Sequence, residues 1–259
     1  MRLWVQSNAA IGSPPGREYL ESAERHMKEV ARQDTEIDFH HSLIPHPPGI
    51  VTYHYVNFLH TSLTIKCAIQ AEREGYDAFT QEATGDLGYF ELREIVDIPV
   101  VFPGEYRFHV ACLLGNKISF LCMNEANLVR LGEMARQYGV TDRIVPGSCI
   151  PLTPSDLQAG FNNPEPIVQA ATTELKKLGK QGANVVICAG NPISLLLIEN
   201  GIKEVDGVIV LDNIAAMVKV SEMIVDLRKL GMRHSVRGPG YAPIPKEELA
   251  TIRKIYGVE

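Results

Sequence analysis

The chain has 259 residues, 45% of them hydrophobic, enough to bury a sizeable core in one large domain or two small ones. A net charge of −6 offers no basic footprint for nucleic acid. No apolar run reaches membrane-span length, and MRLWVQSNAA lacks the apolar core of a secretory signal, so a cytoplasmic protein with no membrane partner is expected.

In chain order, RLWVQS predicts a strand, EYLESAERHMKEVAR a helix, EIDFHHSL a strand and VNFLHTSLTIKCAIQAEREG a long amphipathic helix. DAFTQE, a helix over YFELREIV, and the strand IPVVF follow. After YRFHVACLLG the pattern begins again, with strand KISFLCM, helix NLVRLGEMARQYG, strand RIVPGSC and helix PIVQAATTELKKLGKQG. Strand NVVICA, helix ISLLLIEN, strand VIVL and helix IAAMVKVSEMIVDLRKLG close the series, and the Pro/Gly-rich RGPGYAPIPKEEL reads as a tail. Regular alternation of this kind predicts an α/β fold of parallel sheets covered by helices.

The two series also align with each other. REGYDAFTQEATGD and KQGANVVICAGNPI superpose through Gly75 and Gly182, which sets Ala83 opposite Gly190 and Thr84 opposite Asn191. Two pseudo-symmetric parallel-sheet lobes are therefore expected, with the active site in the cleft between them. Residues 1–108 form the first lobe and 109–211 the second. Residues 212–259 form a C-terminal helix and tail that pack back on the first lobe.

Ligands of open parallel sheets collect outside the carboxyl ends of the strands. That rule nominates the turns QSNAAIG, EATGD, CMNEAN and AGNPIS. Their small residues, amides and hydroxyls suit an anion site, with Ser7, Asn8, Ala83, Thr84, Gly85, Asn124, Gly190 and Asn191 as substrate-binding candidates. Ordinary helix capping explains Ser, Thr and Asn at such positions equally well.

The segments MRLWVQSNAAIG, NFLHTSLTIKCAIQAEREGYDAF, GDLGYFELREIVDIPVV, ENGIKEVDGVIVLDNIAAMVKVSEMIVDLRKLG and GYAPIP span nearly the whole chain. Together they resemble the aspartate/glutamate racemase superfamily, closest to its hydantoin racemase branch. The resemblance implies an enzyme with one cysteine per lobe, each following a third strand, one thiolate removing a proton and the other thiol returning it. Those positions fall on Ala83 and Gly190, so both thiols are missing.

Three residues are candidates for the vacant chemistry. Cys188 lies two residues before the second vacancy, although a Cys ending a buried strand is more often core. Glu82 ends a strand whose preceding residues read as core; in a partly dry cleft its pKa would rise, suiting acid/base work, unless it pairs with a cation or caps a helix. His54 belongs to a group with His40, His41, His46 and His60 that could shape a wall, a lid or a metal site; the broken spacing argues against a metal, and none is expected. Asp86 is read as stabilising the start of the helix that follows it.

Three functions stay open: a racemase-type isomerase acting on a small carboxylate or cyclic amide by a cysteine-independent mechanism, a lyase (decarboxylase) or ring-opening amide hydrolase using Glu82, and a non-catalytic small-molecule binder. No dinucleotide or phosphate-loop motif occurs, so no cofactor is expected. A small-molecule partner and a homo-oligomer are expected.

Overall fold

A computed structural model describes residues 1–10, 12, 16–42, 44, 53–235 and 242–257. The first half contains β1 (Arg2–Ser7), α1 (Gly16–Val30), β2 (Glu36–His40), α2 (His54–Arg73), β3 (Ala78–Glu82), α3 (Tyr89–Ile95) and β4 (Val100–Val101). Its four strands form a parallel sheet of order β2-β1-β3-β4. Helix α4 (Pro103–Leu114) leads to β5 (Ile118–Cys122), α5 (Glu125–Gln137), β6 (Ser148–Cys149), α6 (Pro154–Gly160) and α7 (Glu165–Lys180). Then come β7 (Val185–Cys188), α8 (Asn191–Glu199), β8 (Glu204–Val205), β9 (Val208–Val210), α9 (Asn213–Lys229) and α10 (Lys246–Tyr256). The second sheet runs β6-β5-β7-β9-β8, with only β8 antiparallel. Leaving β8 aside, each half places its second, first, third and fourth strands side by side in that order. The two-lobed α/β fold is the physical form of the sequence repeat.

Every residue of β3, β5 and β7 is buried, as expected where helices cover both faces of a parallel sheet. Strand alternation then divides the apolar side chains. Leu3, Val5 and Ala78 of the first sheet and Phe120, Val185 and Ile187 of the second share one central core with Tyr106 and Phe108 of α4. The opposite faces look outward: Trp4 and Phe79 pack with Leu92, while Leu121, Val186 and Cys188 pack with Leu175 and Leu196. Helix α9 lies against α1, α4 and β3. The expected division at 108/109 falls inside α4, whose Phe108 belongs to the central core.

Four elements depart from the sequence reading. The strand expected over RIVPGSC shrinks to Ser148–Cys149, with Ile144 making only an isolated bridge to Ile118, because Pro146 has no N–H for a ladder. Helix α6 and the short β8 were not foreseen. The C-terminal tail contains α10, with Glu247 and Glu248 in its first turn and Arg253 and Lys254 in its last, charges that suit the helix dipole. Leu249, Ile252 and Ile255 recur at helical spacing along α10, although none of its residues is buried. Among the described residues, no helix is long and apolar enough to cross a membrane.

Candidate active site

Ser7 and Glu82 are register partners at the carboxyl ends of β1 and β3, so their side chains emerge on the same face, toward the space between the sheets. Glu82 is 5% exposed. Its Oε1 accepts from the Tyr19 hydroxyl of α1 at 2.6 Å and from Asn191 Nδ2 at the start of α8, also at 2.6 Å. Its Oε2 accepts from the Ser7 hydroxyl. Three donors answer a buried carboxylate that would otherwise be very costly. Burial still pushes the Glu82 pKa above the usual carboxylate range, against the opposing pull of the bonds from Ser7, Tyr19 and Asn191 and the Arg107 charge. Burial and the neighbouring Glu82 raise the Tyr19 phenol well above its ordinary value.

Arg107 of α4 ties the two lobes together beneath this carboxylate. It is fully buried. Its Nη2 donates to the Ala83 carbonyl at 2.7 Å and to Asn191 Oδ1 at 2.7 Å, and its Nη1 donates to the Thr84 carbonyl at 3.0 Å. With its oxygen held by Arg107, the Asn191 amide must turn its NH2 group toward Glu82. Asp86, next in the same turn, accepts from the Gly104 N–H at 2.8 Å and from the Tyr138 hydroxyl at 2.7 Å. It therefore braces the first turn of α4, not the start of α3, the helix that follows it in the chain. Gly104 makes that approach possible, since a Cβ there would stand 2.1 Å from Tyr138 Cε2.

A cleft of about 130 Å³ opens above these groups. Asn8, Tyr19, Glu82, Ala83, Thr84 and Gly85 line it from the first lobe, and Arg130, Gly190, Asn191 and Pro192 from the second. Ser7 lies just beneath, its hydroxyl also accepting from the Ala9 N–H at 3.0 Å. Gly190 has φ +105°, a backbone conformation that L side chains rarely adopt. A thiol at that position would therefore require the turn to change.

The remaining candidates lie elsewhere. Cys188 is fully buried and faces the outer core of the second sheet, away from the cleft, and burial pushes its thiol up to about 12. Asn124 is an exposed N-cap of α5, accepting from the Asn127 N–H at 2.9 Å, and does not line the cleft. His54 is exposed at the first turn of α2, whose Asn57 reaches the cleft instead. His46 lies outside the described residues. His40 and His60 belong to a different cavity, and no cluster of three metal-ligating side chains forms among the described residues.

Three contributors escaped the sequence reading: Tyr19, Arg107 and Arg130. Arg107 had a visible signal, a lone cation inside the apolar run YRFHVACLL. Tyr19 and Arg130 sit on amphipathic helices and carried none. Arg130 Nη1 lies 3.9 Å from where a Cβ on Gly85 would stand, so a guanidinium reaches a cleft turn whose own small residues, amides and hydroxyls were expected to serve the anion.

Comparison with known proteins agrees with this architecture. The chain is 28% identical over 229 residues to a hydantoin racemase of Pseudomonas sp. strain NS671, covering 87% of this chain and 86% of that one. Among solved structures, allantoin racemase from Klebsiella pneumoniae superposes with a TM-score of 0.73 at 19% identity, covering 95% of this chain and 94% of that one. Allantoin racemase from Pseudomonas fluorescens gives 0.72 at 20% identity, covering 95% and 98%. The sequence profile described as Asp/Glu/Hydantoin racemase matches residues 10–220, and the chain belongs to that family.

Proposed function

We propose that this protein is an isomerase-type enzyme that moves a proton at a carbon beside a carbonyl in a small cyclic amide or carboxylate, with Glu82 as its acid/base and no thiol in the reaction. One observation carries the reading. A buried carboxylate of raised pKa lies at the floor of the inter-lobe cleft, immediately before Ala83, held by donors from both lobes. Kinship to a hydantoin racemase supports the substrate class.

In the forward step Glu82 takes the proton. The C–H bond breaks, an O–H bond forms on the carboxylate, and the electron pair moves onto the substrate carbonyl oxygen. Arg130 supports the charge that develops there, as a cation in a partly dry site does effectively. On the second-lobe wall Gly190, Asn191 and Pro192 offer no acid, so inversion draws its returning proton from water on that side, and the hydroxide left behind takes the proton held by Glu82 to regenerate water and the carboxylate. The same one-sidedness favours a second reading, a lyase in which Glu82 protonates the carbanion left by carbon dioxide.

A single enantiomer of a 5-substituted hydantoin incubated in D2O separates the two. Loss of optical rotation together with deuterium at the ring carbon is the expected result. Release of carbon dioxide from an α-substituted malonate, with no exchange in the hydantoin, would replace the isomerase by the lyase.

A further inference from the structure

A second cavity adjoins the cleft and serves no step above. Its volume is about 450 Å³, and it lies under α2 on the outer face of the first sheet. Trp4 and Gln6 of β1 and His40 of β2 supply its sheet wall, and His60, Thr64 and Lys66 of α2 face them. The outward direction of these strand residues follows from register: Gln6 pairs with His40, and Trp4 lies two positions before Gln6 on the same face. Asn8 lines both this cavity and the cleft, and Ser7, which lines the cavity, donates to Glu82. The carboxyl end of β1 is thus the common wall of the two spaces.

The lining has an unusual charge balance. The chain carries 31 acidic residues against 25 lysines and arginines, yet no Asp or Glu is among the described residues lining this cavity. His40, His41, His60 and Lys66 are. Asp38 and Glu74, the carboxylates that act on His40, are already engaged: Asp38 accepts from Arg2 Nη2 at 3.3 Å and from the Tyr76 hydroxyl at 2.5 Å, and Glu74 accepts from Gln70 Nε2 at 2.7 Å. His40 stacks on Trp4 with ring centroids 3.6 Å apart, and its Nε2 is buried without a hydrogen-bond partner. A buried ring nitrogen left unanswered by the fold is the kind of group that a ligand answers.

We propose that this cavity is the subsite for a carboxylate-bearing substituent of the substrate, whose reacting carbon lies in the cleft beside Glu82. The inference rests on the acid/base reading of Glu82 for the position of the reacting carbon, but not for the chemistry of the subsite. The substituent passes Asn8, and its anionic end meets the imidazoles and the Lys66 ammonium, whose charge makes the stronger hydrogen bond.

Trp4 is the only tryptophan of the chain, so its fluorescence reports this cavity directly. An anion beside His40 favours the imidazolium, and a cationic ring stacked on the indole quenches it. The probes are 5-(2-carboxyethyl)hydantoin and its carbamoyl analogue, which match in size and differ in charge. The carboxylate is expected to quench Trp4 and to bind about tenfold more tightly than the amide. Lys66 is exposed, so Lys66→Glu leaves the fold intact and should erase that preference. Glu82→Gln should keep it, because the charge is read at the subsite. Equal affinity for the two probes, response to neither, or a preference that survives Lys66→Glu overturns the subsite. Undiminished hydantoin turnover in Glu82→Gln, or none in the wild-type protein, with the preference intact counts against the acid/base reading alone.

Discussion

The turns after β3 and β7 occupy equivalent places in their lobes, yet only the first carries a charge. The register that pairs Ala83 with Gly190 also pairs Glu82 with Ala189, and Ala189 is simply part of the central core. One position later in each lobe the roles change hands. Thr84 offers its carbonyl to Arg107, whereas its counterpart Asn191 sends its amide across to Glu82. The backbone is pseudo-symmetric and the chemistry is not. The first lobe holds the carboxylate with two of its donors, and the second adds the third.

Removing that one charge should produce the largest effect. Glu82→Gln keeps the shape of the side chain but cannot exchange a proton, so kcat should fall about 10²–10⁴-fold with little change in KM. Stability should move the other way. Because burial raises the Glu82 pKa in the folded state, its favourable contribution is fully present below the ordinary carboxylate value of about 4.3 and is lost as pH rises through the raised value. Thermal melts of both proteins from acid to neutral pH should therefore show Glu82→Gln gaining on wild type. An unchanged kcat in the folded variant removes Glu82 from the chemistry.

Uncoupling the two turns should come next. Arg107→Leu abolishes three hydrogen bonds from a buried guanidinium and leaves two carbonyls and the Asn191 oxygen unanswered. A cost of about 3 kcal/mol or more follows, on the order of 6–12 °C in melting temperature for a chain of this size. Lysine cannot reproduce the fork, so Arg107→Lys should recover only part of that stability. The readout specific to positioning is the pH profile: with Asn191 no longer oriented, the acid limb of kcat/KM should shift in the soluble Arg107→Lys variant. A melting change without a shifted limb would leave Arg107 as a structural brace only.

The comparison of turns also shows what could be read beforehand. Strand alternation and the repeat that sets Ala83 opposite Gly190 depend on local pattern and are visible in the residue order, whereas the missing thiols there are what the family resemblance implies. So was Glu82, because a carboxylate ending a buried strand is costly without partners. Its partners were hidden, since Tyr19 and Asn191 lie 63 and 109 residues away and meet it only when helices from both lobes dock. Asn124 shows the opposite case: its local signal was genuine but meant a helix cap.

The smallest effect is expected at the residue that spacing makes most tempting. Cys188 lies two positions before Gly190, where the family resemblance implies a thiol, and a shifted turn would bring its sulfur there. Strand alternation prevents this. Leu121, Val186 and Cys188 share the outer core, whereas Val185, Ile187 and Ala189 face the centre, so presenting Cys188 to the cleft would slip β7 by one residue and reverse every buried side chain on it. Burial also holds the thiol near 12, leaving almost no thiolate at neutral pH. Cys188→Ala should therefore cost about 1 kcal/mol of packing and change kcat by no more than about twofold. Alkylating reagents should inactivate the native enzyme only as fast as it unfolds. A loss approaching a hundredfold, about 2.7 kcal/mol of barrier, in a variant with a wild-type melt would show that β7 changes register during turnover, and the second lobe would then supply chemistry as well as orientation.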